Sequence, residues 1–181
     1  MADDQLVSGL RCGDGLAFET LVKRFETPLY RYFLASHGDA QLAGEQSVDC
    51  FSELVRAMPK MSGGDRQLRP FVFAVARNVL RRSWRARARP AAPLDSAEEK
   101  ADPRPTPAAV AESQDEHARL IGAIRSLDPP TRDALLMHYV EQMPLAEVAA
   151  AIGEPLGTIK SRLHRGRHRL AALLQPSTPS P

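Results

Sequence analysis

Between Lys160 and Arg169 the chain carries Lys160, Arg162, Arg165, Arg167 and Arg169 with His164 and His168, and no acid. One-signed guanidinium and ammonium groups at this density are phosphate chemistry. His164 and His168 stand four apart and could in principle share a metal. Arginines on every side would repel a cation, so phosphate or base contact is the expectation, with no metal or other cofactor. A second group lies in PFVFAVARNVLRRSWR, Pro70 to Arg85, where arginines alternate with Phe71, Phe73 and Trp84. Guanidinium groups can hold a backbone while rings or pockets take unstacked bases, which is what single-stranded nucleic acid requires. Asn78 can bond a base edge, and Gly63-Gly64 just upstream lets a loop fold over one. A basic helix that merely rims a core would show the same pattern.

The elements that position the first group read as a helix-turn-helix. Leu145, Val148, Ala149 and Ile152 recur at helical spacing. Gly153 then suits a left-handed cap, and Glu154-Pro155-Leu156 makes a turn. A second helix starts near Gly157 or Thr158, with Ile159, Leu163, Leu170 and Leu173 inward and Ile159 as the plug between the two helices. That geometry offers the second helix to a major groove. A helical hairpin with a solvated basic face is the plain alternative; small Ala149, corner glycine, plug and one-signed charge together favour DNA.

The 181 residues allow one ordinary domain or two small ones. Net charge is only +2, but its distribution is uneven. From Arg66 to Arg89 there are eight arginines and no acid; from Asp95 to Glu116 there are seven acids against Lys100 and Arg104. Two basic blocks separated by an acidic one predict two nucleic-acid surfaces and a connector that avoids phosphates. Cys12 and Cys50 fit neither a zinc ribbon nor a redox pair. No apolar run reaches membrane-spanning length and no signal peptide heads the chain, so the expectation is a cytoplasmic protein with reduced thiols, not inserted in a membrane. Nothing resembles a phosphate-binding glycine loop or a catalytic pair, so no enzyme is expected.

In chain order, Asp14 caps a helix from about Gly15 that buries Phe18, Leu21, Val22, Phe25, Leu29 and Tyr32, with Pro28 expected to kink or split it. Asp39 caps the next, Ala40 to Met58, with Ala43, Ser47, Cys50, Phe51, Leu54, Val55 and Met58 inward. Its outer side is an acidic ridge around Val48, which is either plain surface or a docking ridge. After the Lys60–Arg69 loop, the arginine helix points Phe71, Ala74, Val75 and Leu80 inward and displays Arg77, Arg81, Arg85 and Trp84. Residues 90–113 are rich in Pro, Ala, Asp and Glu and read as a flexible linker reaching about 75 Å at ~3.1 Å per residue. A helix over Gln114–Ser126 turns Leu120, Ile121 and Ile124 inward. Asp128-Pro129-Pro130 starts another, which buries Ala134, Leu135, His138 and Tyr139. Residues 176–181 form a disordered tail. The fold class is therefore all-α: two small helical domains, 1–89 and 114–175, the second a helix-turn-helix.

SLDPPTRDALLMHYVEQMPLAEVAAAIGEPLGTIKSRLHRGRHRL resembles the carboxy-terminal, region 4 domain of extracytoplasmic-function sigma factors in the sigma-70 family; GTIKSRLHRGR, Gly157 to Arg167, is its most specific run. Ala43 to Phe51 and FVFAVARNVLRRSWR resemble the amino-terminal, region 2 domain of the same group. The resemblance implies a monomeric factor that joins core RNA polymerase, recognises two promoter elements and directs transcription initiation. Glu45, Val48, Asp49 and Ser52 would dock on the clamp helices of the largest subunit. Arg77, Asn78, Arg81, Arg82 and Arg85, with the preceding loop, would hold the melted element. Thr158, Lys160, Ser161, Arg162, His164 and Arg165 would meet the distal element as duplex, with Arg167 and Arg169 on its phosphates. It also implies an anti-sigma partner. The chain departs from the family where an acidic pair and a glutamine are usual, with Gly44-Glu45 and Val48, and at Phe71, where tryptophan is usual. A stand-alone helix-turn-helix regulator that binds operators without polymerase is the alternative; it leaves the arginine helix without a task.

Overall fold

The computed structural model describes residues 3–88 and 118–175, so the linker and tail expectations fall outside the described residues. All regular structure among the described residues is helical. Helix α1, Asp3–Cys12, precedes the first helix expected from sequence and buries Leu6, Val7 and Leu10. Gly13 turns the chain at φ 75° into α2, Gly15–His37, whose first N–H groups are met by Asp14 Oδ1 through Leu16 N at 2.9 Å. Proline removes one donor inside a helix, yet α2 runs through Pro28 unbroken. Buried Leu21, Phe25, Leu29, Tyr32 and Phe33 hold both of its ends on one core.

Gly38 ends α2 at φ 71°, and Asp39 caps α3, Ala40–Ala57, through Leu42 N at 3.0 Å. Ala43, Ser47, Cys50, Leu54 and Met58 are buried as expected, and Gln46 joins them. Val55 is not inward: it is 53% exposed, and Phe51 only half-buried. Burial pushes the Cys50 thiol up to about 12, so it behaves as a core residue. Two 3-10 turns, Met58–Lys60 and Asp65–Gln67, lead to α4, Leu68–Ala88. Its buried face is Val72, Phe73, Ala76, Val79 and Leu80; Leu80 is inward as expected, but Phe71, Ala74 and Val75 are only half-buried and give way to their neighbours. Trp84 is covered, not displayed. The His37 ring stacks on it at 5.7 Å, and the Arg132 guanidinium lies over it at 4.2 Å.

Residues 118–125 form helix α5, in which Ala123 and Ile124 are buried, Ile121 half-buried and Leu120 38% exposed. Asp128 caps α6, Pro129–Leu135, by accepting from Thr131 N at 3.2 Å. The chain then widens into a π-turn, Leu136–Val140, closed by Glu141 N on Leu136 O at 3.0 Å. The wider turn shifts the helical phase, so Leu136 and Met137 are buried, His138 is half-buried, and Tyr139 stands 43% exposed, against expectation. Helices α7, Leu145–Ile152, and α8, Leu156–Leu174, complete the carboxy-terminal half. Leu173 is nearly half exposed, contrary to its assignment to the core.

Buried residues of both halves join in one continuous cluster. Gly38 approaches Ile121 so closely that a Cβ would lie 3.0 Å from its Cγ2. Among the described residues no helix is long and apolar enough to cross a membrane. Within the carboxy-terminal half, buried Gly166 lets α8 press on α6; a Cβ there would meet Thr131 Cγ2 at 2.7 Å and Leu135 Cδ1 at 2.8 Å. Gly166→Val is expected to cost about 1–3 kcal/mol through overpacking, measured by urea unfolding, although a helix interior ordinarily disfavours glycine.

Candidate nucleic-acid interface

The α7–α8 corner is built by short-range rules. Gly153 takes φ 77°, its N–H bonds Ala149 O at 2.8 Å, and Glu154 N reaches the same carbonyl at 3.1 Å. Pro155 cannot continue α7, and α8 starts at Leu156, a residue before the expected start. Ile159 is fully buried in the angle, with Leu163 and Gly166 behind it. This phase turns Lys160, Ser161, His164, Arg165, Arg167, His168 and Arg169 to solvent, with Thr158 half-buried at the edge. Ser161 Oγ donates to Gly157 O at 3.0 Å, and the rings of His164 and His168 meet edge-on at 4.5 Å. Arg162 behaves differently from its neighbours. Its Nε and Nη2 both donate to the Glu154 carboxylate at 2.9 Å, and Nη1 lies 3.7 Å from Asp128. It braces the corner against the cap of α6 and is only 21% exposed.

On α4 the arginines divide. Asn78, Arg81 and Arg85 are exposed, and Arg82 reaches across to Glu53 of α3 at 3.3 Å. Arg77 is turned inward: its Nε donates to Asp133 Oδ2 at 2.9 Å and its Nη1 to Ile152 O at 3.1 Å. Arg77, Arg81, Trp84 and Arg85 form one wall of a cleft of about 300 Å³, with Arg132 and Asp133 opposite. On α3, Glu45, Asp49 and Ser52 are exposed around Val48, itself 67% exposed. They border a groove of about 520 Å³ against Arg82 and Ser83 of α4. The structure therefore puts the α3 ridge and Arg82 along one groove, lines a separate cleft with Arg77, Arg81 and Arg85, and sets the α8 residues on another helix.

Sequence reasoning missed the residues that join the halves. Tyr32 and Asp133 are buried, and the Tyr32 hydroxyl donates to Asp133 Oδ1 at 3.1 Å. Burial pushes Asp133 up from the usual carboxylate range even though Arg77 draws it down, and burial beside Asp133 lifts the Tyr32 phenol well above its ordinary value. Arg31 forks onto buried Glu141 at 3.3 and 3.0 Å. Arg69 donates to the Glu141 backbone carbonyl. The available signal was a tyrosine in an apolar stripe, whose hydroxyl needs a partner when buried, and an aspartate amid inward positions of α6.

Comparison with known proteins gives three results. The family described as sigma-70, region 4 matches residues 117–170. The probable RNA polymerase sigma-C factor of Mycobacterium bovis and the ECF RNA polymerase sigma factor SigC of Mycobacterium tuberculosis are each 30% identical over 190 positions, covering 97% of this chain and 95% of theirs. Two solved structures share the fold: CnrH in complex with the cytosolic domain of CnrY, and the sigma factor RpoE in complex with the anti-sigma factor NepR from Bartonella quintana. The first has TM-score 0.75 at 22% identity, covering 98% of this chain and 100% of that one. The second has TM-score 0.65 at 19% identity, covering 89% and 98%.

The geometry separates two kinds of arginine on α8. Arg167→Ala is expected to weaken duplex binding on any sequence and to reduce the salt-dependence slope by about 0.9. Arg162→Ala is expected to leave that slope in place and to lower stability by about 1 kcal/mol, because it removes a half-buried fork rather than a displayed cation. Salt titrations of DNA binding and thermal unfolding of both variants check this.

Proposed function

The chain belongs to the extracytoplasmic-function group of the sigma-70 family of RNA polymerase sigma factors, and on that premise we propose that it joins core RNA polymerase and directs initiation at promoters with two recognition elements. The observation that carries the reading furthest is the acid-free outer face of α8, held by the Gly153 corner and the buried Ile159 plug. Thr158, Lys160, Ser161, His164 and Arg165 meet the distal element in the major groove, while Arg167 and Arg169 hold phosphates. Arg162 serves as the brace of this helix rather than as a reader.

The α3 ridge of Glu45, Val48, Asp49 and Ser52 docks on the clamp helices of the largest polymerase subunit. Its exposed valine flanked by carboxylates suits a basic partner helix with an apolar centre. Asn78, Arg81, Arg82 and Arg85, with Arg77 once released from Asp133, hold the melted element. The loop around Gly63, which has φ 95°, closes over an unpaired base. In this reading residues 1–89 and 114–175 act as two units joined by 90–113, in a monomer that works in the cytoplasm without catalysis. An anti-sigma protein covering these faces is the expected partner. The two structural neighbours are described with such a protein or with a cytosolic partner domain.

Run-off transcription with core polymerase tests the assignment of melting to α4. Each captured base contributes about 1–3 kcal/mol, so Asn78→Ala should lower output from duplex promoters about 5- to 150-fold. Templates mismatched across the melted segment should rescue it in part, while core binding stays unchanged. Variants of Thr158 or Arg165 should show no such rescue. Equal behaviour of both sets would reduce the amino-terminal half to a polymerase anchor, and failure to co-purify with core would leave a stand-alone operator binder.

A further inference from the structure

The cleft between α4 and α6 holds positive charge that the fold does not answer. Arg77, Arg81, Arg85 and Arg132 line it against a single acid, Asp133, whose oxygens already accept from Tyr32 and Arg77. Arg132 is the exceptional member. Only 1% of it is exposed, it forms no ion pair among the described residues, and its Nε is buried without a hydrogen-bond partner there. Its Nη1 reaches no more than the Arg125 carbonyl, at 3.3 Å. Burial draws this arginine below its ordinary value even with Asp133 beside it, and a buried cation without a counter-ion is costly. Trp84 supplies a second unanswered donor. The His37 ring and the Arg132 guanidinium both lie over its ring, at 5.7 and 4.2 Å, and its buried Nε1–H has no partner among the described residues. Leu80, Pro129 and Pro130 complete the walls with apolar surface. The volume of about 300 Å³ is at the lower end of the range for small-molecule sites.

We propose that this cleft binds a small phosphate monoester with a flat apolar body, the chemistry of a nucleoside monophosphate. Its phosphate accepts from Arg132 Nε and Trp84 Nε1 and pairs with Arg85. The guanidinium lying over the ring brings the two buried donors close enough for one phosphate to meet both. Arg81, Arg85 and Arg132 form no ion pair among the described residues, so a phosphate monoester, with a charge of about −1.5 to −2 near neutral pH, answers them better than a carboxylate or a phosphodiester. The body of the ligand lies on Leu80, Pro129 and Pro130, where Arg81 can stack on a base. The site does not rest on the role proposed for α4 in holding DNA. Because α4 and α6 both build it, a bound nucleotide also stabilises the folded chain.

The test uses the full chain and the four ribonucleoside monophosphates, with adenosine and inorganic phosphate as probes of the body and the charge alone. Trp84 is the one tryptophan in the sequence, so its emission reads the cleft directly. The expected result is a saturable emission change with at least one nucleotide, about tenfold tighter than with adenosine or phosphate, and a raised Tm. Arg132→Met keeps an unbranched stem over Trp84 and removes the charge. It should weaken nucleotide binding about tenfold or more and abolish the rise in Tm. Should circular dichroism show that variant unfolded, Trp84→Phe carries the test by calorimetry. It keeps a ring between His37 and Arg132, removes one donor and should weaken binding about 3- to 10-fold. No response to any of the four nucleotides overturns the site. Binding that survives both variants unchanged sits on displayed arginines and overturns it too, and phosphate binding as tightly as the best nucleotide overturns the apolar body. A single-stranded oligonucleotide that gives the Arg132-dependent change where the nucleotides give none makes the cleft a DNA contact and overturns the small-molecule site. Transcription with core polymerase, scored on the same chain, checks the proposed function separately.

Discussion

The carboxylate of Asp133 is the point through which four helices are related. Tyr32 reaches it from α2 and Arg77 from α4, and Arg77 carries the connection on to the last carbonyl of α7. Taking a carboxylate out of water costs several kcal/mol unless its oxygens are fully partnered. Here one oxygen accepts from the phenol and the other from the guanidinium, while only 1% of the residue is exposed. Removing one partner of such a pair typically costs about 3–5 kcal/mol, so the interaction fixes geometry more firmly than its net contribution suggests. The preceding residue pulls the other way. Arg132 is also buried, lies over Trp84 and donates to Arg125 O at 3.3 Å. Two consecutive residues of α6, opposite in charge, thus grip the same stretch of α4 at Arg77 and Trp84.

The recognition helix does not depend on that seam. Its corner is held by Gly153, its angle by Ile159, and its tilt by Arg162 on Glu154, all within the carboxy-terminal half. As a result the packed structure treats the two basic surfaces unequally. Lys160, Arg165, Arg167 and Arg169 remain exposed on α8, whereas Arg77 is covered and the loop before α4 is walled by α7. The cations of α8 are thus open to solvent in the same packed structure that covers Arg77 of α4. The asymmetry follows from which face of the helix-turn-helix packs on α4: it is α7, the supporting helix, that does so.

What was legible in the sequence was local. Asp14, Asp39 and Asp128 cap the helices they were expected to cap, and Gly153 turns the corner, because each signal is satisfied within a few residues. Ile159 as plug follows from the same short-range spacing. Several failures come from partners that only folding brings together. Arg77 and Arg162 look like displayed cations until Asp133 and Glu154 are brought beside them, and Trp84 looks displayed until Arg132 covers it. Tyr139 has the spacing of an inward residue on a regular α-helix, but the chain makes a π-turn there. The apolar residues of α4 are continuous from Phe71 to Ala76, which leaves periodicity little with which to fix its phase. Helix α1 carries its helical period in Leu6, Val7 and Leu10.

The charge distribution shows how a chain with a net charge of only +2 can present strongly cationic surfaces. Its acids are not spread evenly against its bases. Asp133 pairs with Arg77 and Glu154 with Arg162, both largely covered, while Glu141 and Glu53 pair with Arg31 and Arg82, whose side chains stay more than half exposed. The cations that remain outward, Arg81 and Arg85 on α4 and Lys160, Arg165, Arg167 and Arg169 on α8, make no ion pair among the described residues. These two populations respond differently to salt. Exposed charges are screened over about 8 Å at physiological ionic strength, whereas buried pairs are screened much less. Rising salt therefore screens the outward cations well before it loosens the Asp133–Arg77 pair. The seam between the halves is thus the salt-resistant part of the protein's electrostatics and the outward face of α8 its salt-sensitive part, because the Asp133 carboxylate that neutralises Arg77 is inside the protein.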